Sequence, residues 1–149
     1  MVLKQPYEGH YMDKMYRIYQ KGEDSKSGIV VTSILMKAII TRPSSGQTLK
    51  KGRIVLLGAA YGGEARVGKV EVSVDEGKTW SPAEFIGPDE PFAWRQWQYL
   101  WEAKRDGTYR LMARATDARG NQQPMKARWN ALGYGNNGVE EHSVTIQVL

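Results

Sequence analysis

Lys69-Val70-Glu71-Val72-Ser73-Val74-Asp75-Glu76-Gly77-Lys78 is the stretch that decides how this chain folds. Three valines at every second position alternate with lysine, glutamate and serine. That period of two belongs to a half-buried strand, because successive side chains of a strand point to opposite faces of its sheet. Asp75-Glu76-Gly77-Lys78 then supplies a tight turn, and Trp80, Ala83 and Phe85 lead the next strand away.

The same reading extends in both directions. Upstream, Ile29 to Ile40 is rich in β-branched and aliphatic residues and ends at Pro43-Ser44-Ser45-Gly46, a strand followed by a turn. Ile54 to Ala60 is apolar on both faces and is closed by Gly62-Gly63. Downstream, Phe92 and Trp94 keep one phase while Trp97, Tyr99 and Trp101 keep the other, which predicts a β-bulge near Arg95-Gln96. Tyr109, Leu111, Ala113 and Ala115 alternate with Arg110, Met112, Arg114 and Thr116, and Val144, Ile146 and Val148 make a closing strand. On the outward phase, Met112 and its flanking arginines mark that strand as a candidate for self-association.

Roughly seven short strands with frequent turns predict an all-β chain, an immunoglobulin-like antiparallel β-sandwich over residues 29–149. Val70, Val72, Val74, Leu111 and Ala113 are expected inside it. Asp106-Gly107-Thr108-Tyr109 looks like a tyrosine corner, in which the phenol bonds back to the connecting loop. Residues 1–28 read differently, as an irregular tail. Tyr7, Tyr11, Tyr16 and Tyr19 are spaced among charged residues and glycine with few aliphatics, and residues 21–28 have linker composition.

Composition narrows the chemistry. The 149 residues contain no cysteine, which rules out a thiolate nucleophile, a Cys-based zinc site and any cysteine ligand supplied by this chain to a metal cofactor. The net charge of +5 is spread among both signs, without the gathered basic face that nucleic-acid binding requires. No apolar stretch reaches the roughly twenty residues of a membrane span, and residues 1–20 lack the apolar core of a secretory signal. His10 and His142 stand at opposite ends of the sequence. Asp75-Glu76 and Glu140-Glu141 are adjacent pairs and read as turn and surface charges. Gly62-Gly63 with Gly68 lacks the Lys-Ser/Thr sequel of a phosphate loop.

The tryptophans Trp80, Trp94, Trp97, Trp101 and Trp129 are either filler between the sheets or, where exposed, a platform on which sugars could stack. Gly120-Asn121-Gln122-Gln123-Pro124, followed by Trp129-Asn130-Ala131-Leu132-Gly133-Tyr134 and Asn136-Asn137, favours turns and local side-chain hydrogen bonds. A tryptophan in so polar a loop is expected to pack onto something, within the domain or on a partner.

In order, the chain carries Val70 to Trp80, Ala83-Glu84-Phe85, Trp94-Arg95-Gln96-Trp97, Gly107, Leu111, Arg114-Ala115-Thr116-Asp117, Gly120 to Pro124, Trp129-Asn130, Gly133 and Asn137. From about Ile39 to Val148 this series resembles the C-terminal dimerisation domain of molybdopterin-dependent oxidoreductases of the sulfite oxidase family. Tyr7-Glu8-Gly9-His10-Tyr11-Met12-Asp13-Lys14-Met15-Tyr16-Arg17-Ile18 resembles the end of that family's molybdenum-cofactor domain.

The resemblance implies a non-catalytic assembly domain that holds no cofactor itself, the molybdopterin-bound molybdenum lying in the catalytic domain of a parent enzyme. It implies a homodimer, contact with that catalytic domain, a cytochrome c as the parent's electron acceptor and a periplasmic parent. Asn121, Gln123, Trp129, Asn130, Leu132, Tyr134 and Asn137 become the candidate interface with the catalytic domain or a partner. One position departs from the family. Animal and plant sulfite oxidases tend to have Trp-Asn-Leu-Arg-Gly where this chain has Trp129-Asn130-Ala131-Leu132-Gly133. An apolar Leu132 cannot neutralise a sulfite dianion, and the likeness shifts toward bacterial sulfite and sulfur dehydrogenases. The alternative is a stand-alone carbohydrate- or protein-binding module using a tryptophan platform.

Overall fold

The computed structural model describes Lys4 and residues 9–149, so Tyr7 and Glu8 of the tail lie outside the described residues. Contacts divide the chain into two compact units. One takes Arg128–Asn136 together with the chain up to Ser33, and the other takes Ile34–Ala127 with Asn137–Leu149.

The first unit is built on short elements. A single π-helical turn, Tyr11–Met15, precedes strand β1 (Arg17–Ile18), which pairs antiparallel with β2 (Ile29–Val30). Too few aliphatics are present for a core, so polar groups do the fastening. The Arg17 guanidinium donates to the carbonyls of Met12 at 2.7 Å and Gly28 at 2.9 Å. Residues 128–136 join this unit through the Ala131 N–H, which donates to the Tyr19 carbonyl at 2.8 Å, and through the Tyr16 and Tyr134 rings, 5.9 Å apart.

The second unit is the sandwich. Its strands are β3 (Lys37–Arg42), β4 (Thr48–Leu49), β5 (Gly52–Tyr61), β6 (Val67–Ser73), β7 (Ser81–Pro82), β8 (Glu84–Ile86), β9 (Arg95–Ala103), β10 (Gly107–Asp117) and β11 (Val144–Val148). One sheet has the order β4-β11-β10-β6-β7 and the other β3-β5-β9-β8. Neighbours are antiparallel except β11 and β4, which run parallel. The apolar sets that alternate along β5, β6, β9, β10 and β11 meet between the sheets. Leu56, Trp97, Leu111, Ala115 and Val148 are fully buried there. Val70, Val72 and Ala113 share that core and Val74 packs at its margin. The tyrosine corner forms as expected: the Tyr109 hydroxyl donates to the Arg105 carbonyl at 2.9 Å, and its ring meets Trp101 edge-on at 4.7 Å.

Three local expectations change. The aliphatic run from Ile29 is not one strand, because the chain leaves β2 after Val30 and re-enters a sheet only at Lys37. No bulge occurs at Arg95-Gln96: β9 keeps an unbroken register with β5 from Ala60↔Arg95 to Gly52↔Ala103. The phase change arises because Phe92 and Trp94 precede the strand in a loop, where Phe92 has a left-handed φ of 57°. Met112 lies on the outer face of its sheet yet is only 2% exposed. Trp80 and Met125 gather with it around Gly77, so this methionine is not available for self-association.

Candidate functional site

Asp117 closes β10 and organises the turn that follows. Its Oδ1 accepts from the backbone N–H groups of Arg119 and Asn121, at 2.9 and 2.8 Å, and its Oδ2 accepts from the Asn121 side-chain amide at 2.9 Å. The Asn121 amide, outweighing the opposing effect of desolvation, holds the Asp117 carboxyl below its ordinary range. Asn121 is thereby fixed at the surface as a turn residue.

Two residues on, Gln123 is fully buried. Its Oε1 accepts from the Ala38 N–H at 2.8 Å and the Ala115 N–H at 3.1 Å, and its Nε2 donates to the Asn137 carbonyl at 2.9 Å. Asn137, also buried, donates from its side chain to the Met36 carbonyl at 3.1 Å. The two amides form one polar link across the sandwich, from the edge of β3 to β10. A side chain with this donor and acceptor inventory satisfies groups that a bend in the backbone would otherwise leave orphaned.

Asn130, Trp129, Leu132 and Tyr134 belong to the first unit. Buried Asn130 locks its own loop, donating to the Tyr134 carbonyl at 2.6 Å and accepting from the Tyr134 N–H at 3.1 Å. Trp129 and Leu132 face solvent, at 66% and 42% exposure. The seven residues divide between the two units, Asn121, Gln123 and Asn137 in the sandwich and the other four in the first unit. Gln123, Asn130 and Asn137 have their amides committed to backbone, while Asn121, Trp129, Leu132 and the half-buried Tyr134 retain exposed surface.

Among the described residues no cluster of three or more His, Asp or Glu side chains is placed to hold a metal ion. The chain has no cysteine to offer molybdenum as a thiolate ligand, and the buried side-chain amides of Gln123 and Asn137 bond backbone groups within it. The tryptophans divide. Trp97 and Trp101 are core residues, at 0% and 9% exposure, whereas Trp94 and Trp129 are exposed on different units. A sugar platform on Trp97 and Trp101 is excluded by that burial.

One surface was not singled out from sequence. Along β5 the outward series Val55, Leu57, Ala59 is apolar, and Val55 and its cross-strand partner Leu100 on β9 are 50% and 49% exposed. The signal was present in the two-faced apolar run of Ile54 to Ala60.

Comparison with known proteins agrees with this architecture. Residues 29–148 match the family model described as the Mo-co oxidoreductase dimerisation domain. Mitochondrial sulfite oxidase of Rattus norvegicus is 32% identical over 127 residues, 80% of this chain and 23% of that protein. NADH nitrate reductase 2 of Phaseolus vulgaris is 27% identical over 161 residues, 92% of this chain and 18% of that protein. The chain thus spans about a quarter or less of the length of these relatives. The sulfane dehydrogenase SoxCD of Paracoccus pantotrophus shares the fold, with a TM-score of 0.72 and 21% identity over 95% of this chain and 39% of that one. The chain belongs to the Mo-co oxidoreductase dimerisation domain family.

Proposed function

We propose that this chain is the assembly module of a sulfite oxidase-like molybdenum oxidoreductase, pairing with a second copy and packing on a catalytic molybdenum domain. The observation that carries this reading is the family match over residues 29–148, on a sandwich whose buried polar groups hold its own backbone. Substrate oxidation, the molybdopterin and delivery of electrons to an acceptor such as a cytochrome c are assigned to other parts of the parent enzyme. Exposed Trp129 and Leu132 are proposed to face the catalytic domain, because they belong to the unit that also contains the tail resembling the end of that domain. A large aromatic that is two-thirds exposed in a loop held by its own hydrogen bonds is a suitable anchor for such a contact.

The test is elemental analysis, a sulfite:dye-reduction assay and sedimentation of the purified chain. The expected result is no stoichiometric molybdenum, no turnover above background and concentration-dependent pairing. Turnover by this chain would overturn the reading, as would a monomer that shows no affinity for a molybdenum domain of the family.

A further inference from the structure

The two outer faces of the sandwich are finished differently. Over the five-stranded sheet, Met112 is buried beneath Trp80 and Met125, and Val139 is 1% exposed. The backbone N–H groups of Val139 and Glu140 there donate to the carbonyls of Pro124 and Met125 at 3.0 Å each. That face is covered by its own chain. On the four-stranded sheet Val55 and Leu100 stand half exposed at its middle, with half-buried Leu57 beside them. An antiparallel sheet normally turns polar residues outward, so an apolar outward stripe is the informative departure.

The register of β5 on β9 makes this stripe complementary to itself. Val55 pairs with Leu100, and two residues along Arg53 pairs with Glu102. Cross-strand partners point to the same side, so all four lie on the outer face, and all four are exposed. When two sheets pack face to face as an isologous dimer, the twofold axis lies in the interface plane. Run along the strands between β5 and β9, that axis lays β5 of one copy on β9 of the other at the same level. Val55 then meets the second copy's Leu100, and Arg53 meets its Glu102, each contact occurring twice. Within the chain, among the described residues, neither Arg53 nor Glu102 is in an ion pair.

We infer that the outer face of β5 and β9 is the surface through which two copies of this chain pair, about an axis running between those strands. This inference rests on the assembly reading above and names its surface. The four strands have 6, 10, 3 and 9 residues, which at about 3.3 Å per residue and about 4.8 Å between strands give a projected face of roughly 450 Å². That is smaller than the ~800 Å² per partner of a standard-size interface and fits a weak dimer, one that forms at tens of micromolar.

The test is sedimentation of the full chain as wild type, Arg53→Glu, Glu102→Arg, an equimolar mixture of those two variants, and Leu100→Asp. The wild type is expected to dimerise at tens of micromolar. Arg53→Glu alone sets glutamate against glutamate twice, and Glu102→Arg alone sets arginine against arginine twice, so each weakens pairing more than tenfold. In the mixture, the Arg53→Glu chain presents glutamate at both positions and the Glu102→Arg chain presents arginine at both. Every contact between the two chains then joins opposite charges, and dimers return to within about threefold of wild type. Pairing of charges within one chain cannot produce that rescue. Leu100→Asp is expected to abolish pairing, with circular dichroism showing that the sandwich remains. If the wild type dimerises and the variants do too, the face is wrong while the assembly reading stands. If the wild type stays monomeric at several hundred micromolar, pairing by this chain falls with it.

Discussion

The side-chain oxygen of Gln123 accepts the backbone N–H of Ala38 at 2.8 Å, across a sequence separation of 85 residues. The same oxygen accepts from Ala115 and the amide nitrogen donates to Asn137, so one glutamine spans both sheets. Replacing it with leucine keeps the bulk and removes every side-chain bond, leaving two N–H groups and a carbonyl unpaired in the interior. Gln123→Leu should lose on the order of 3–5 kcal/mol, read from urea midpoints, since each buried orphan costs about 1–3 kcal/mol. Gln122→Ala, at an exposed neighbour, should stay within about 0.5 kcal/mol of wild type.

Tyr109 offers a smaller, separable test. Its hydroxyl bonds the Arg105 carbonyl near solvent while its ring packs on Trp101. Tyr109→Phe should therefore cost about 1 kcal/mol, and Tyr109→Ala about 3 kcal/mol or more in thermal and urea unfolding. Equal losses from the two changes would mean that the ring contributes nothing.

What the sequence made legible followed from local period. The alternation in Val70 to Val74 and in Tyr109 to Ala115 is set by the pleat alone, and the Gly107-Thr108-Tyr109 corner is a local device. What it hid depends on partners distant along the chain. Met112 carries an outward phase, and Trp80 and Met125 from other segments gather with it around Gly77. The Phe92/Trp94 phase reads as a bulge until the strand is seen to begin at Arg95. Gln123 looked like a residue that could meet a partner, because an amide in a Gln/Asn run carries no mark of burial; the N–H groups that it accepts from lie on β3 and β10.

Gly58 sits on β5 directly opposite Trp97 of β9. A Cβ added there would overlap the Trp97 ring and the Ile39 carbonyl. Neither can retreat, because Trp97 is fully buried and the carbonyl belongs to a paired strand. Gly58→Ala should cost about 3 kcal/mol or more, the upper range of overpacking. A melting temperature within a degree or two of wild type would show that the sheet shifts to make room.

Asp75 gives the chain an acid-sensitive turn. Burial pushes its carboxyl up, but the Thr79 hydroxyl at 2.6 Å and N–H at 2.9 Å, with the Ser73 hydroxyl at 2.7 Å, outweigh that and bring it down from 3.8 to about 2. A carboxyl depressed on folding contributes stability that is complete above its unfolded value and is lost as pH falls through its folded value. The relevant window therefore runs from about pH 4 down to about pH 2. Asp75→Asn keeps the shape and an acceptor oxygen but carries no charge, and should be about 1–2 kcal/mol less stable than wild type at pH 7. Other carboxylates, Glu71 and Asp117 among them, are also held down, so both proteins weaken in acid. The difference between them isolates Asp75. It should stay constant from pH 7 to about pH 4, then shrink as Asp75 itself protonates. Urea midpoints at pH 7, 4, 3 and 2 measure it, and a gap that does not change with pH would mean that Thr79 and Ser73 bond Asp75 no better as a carboxylate than as an amide.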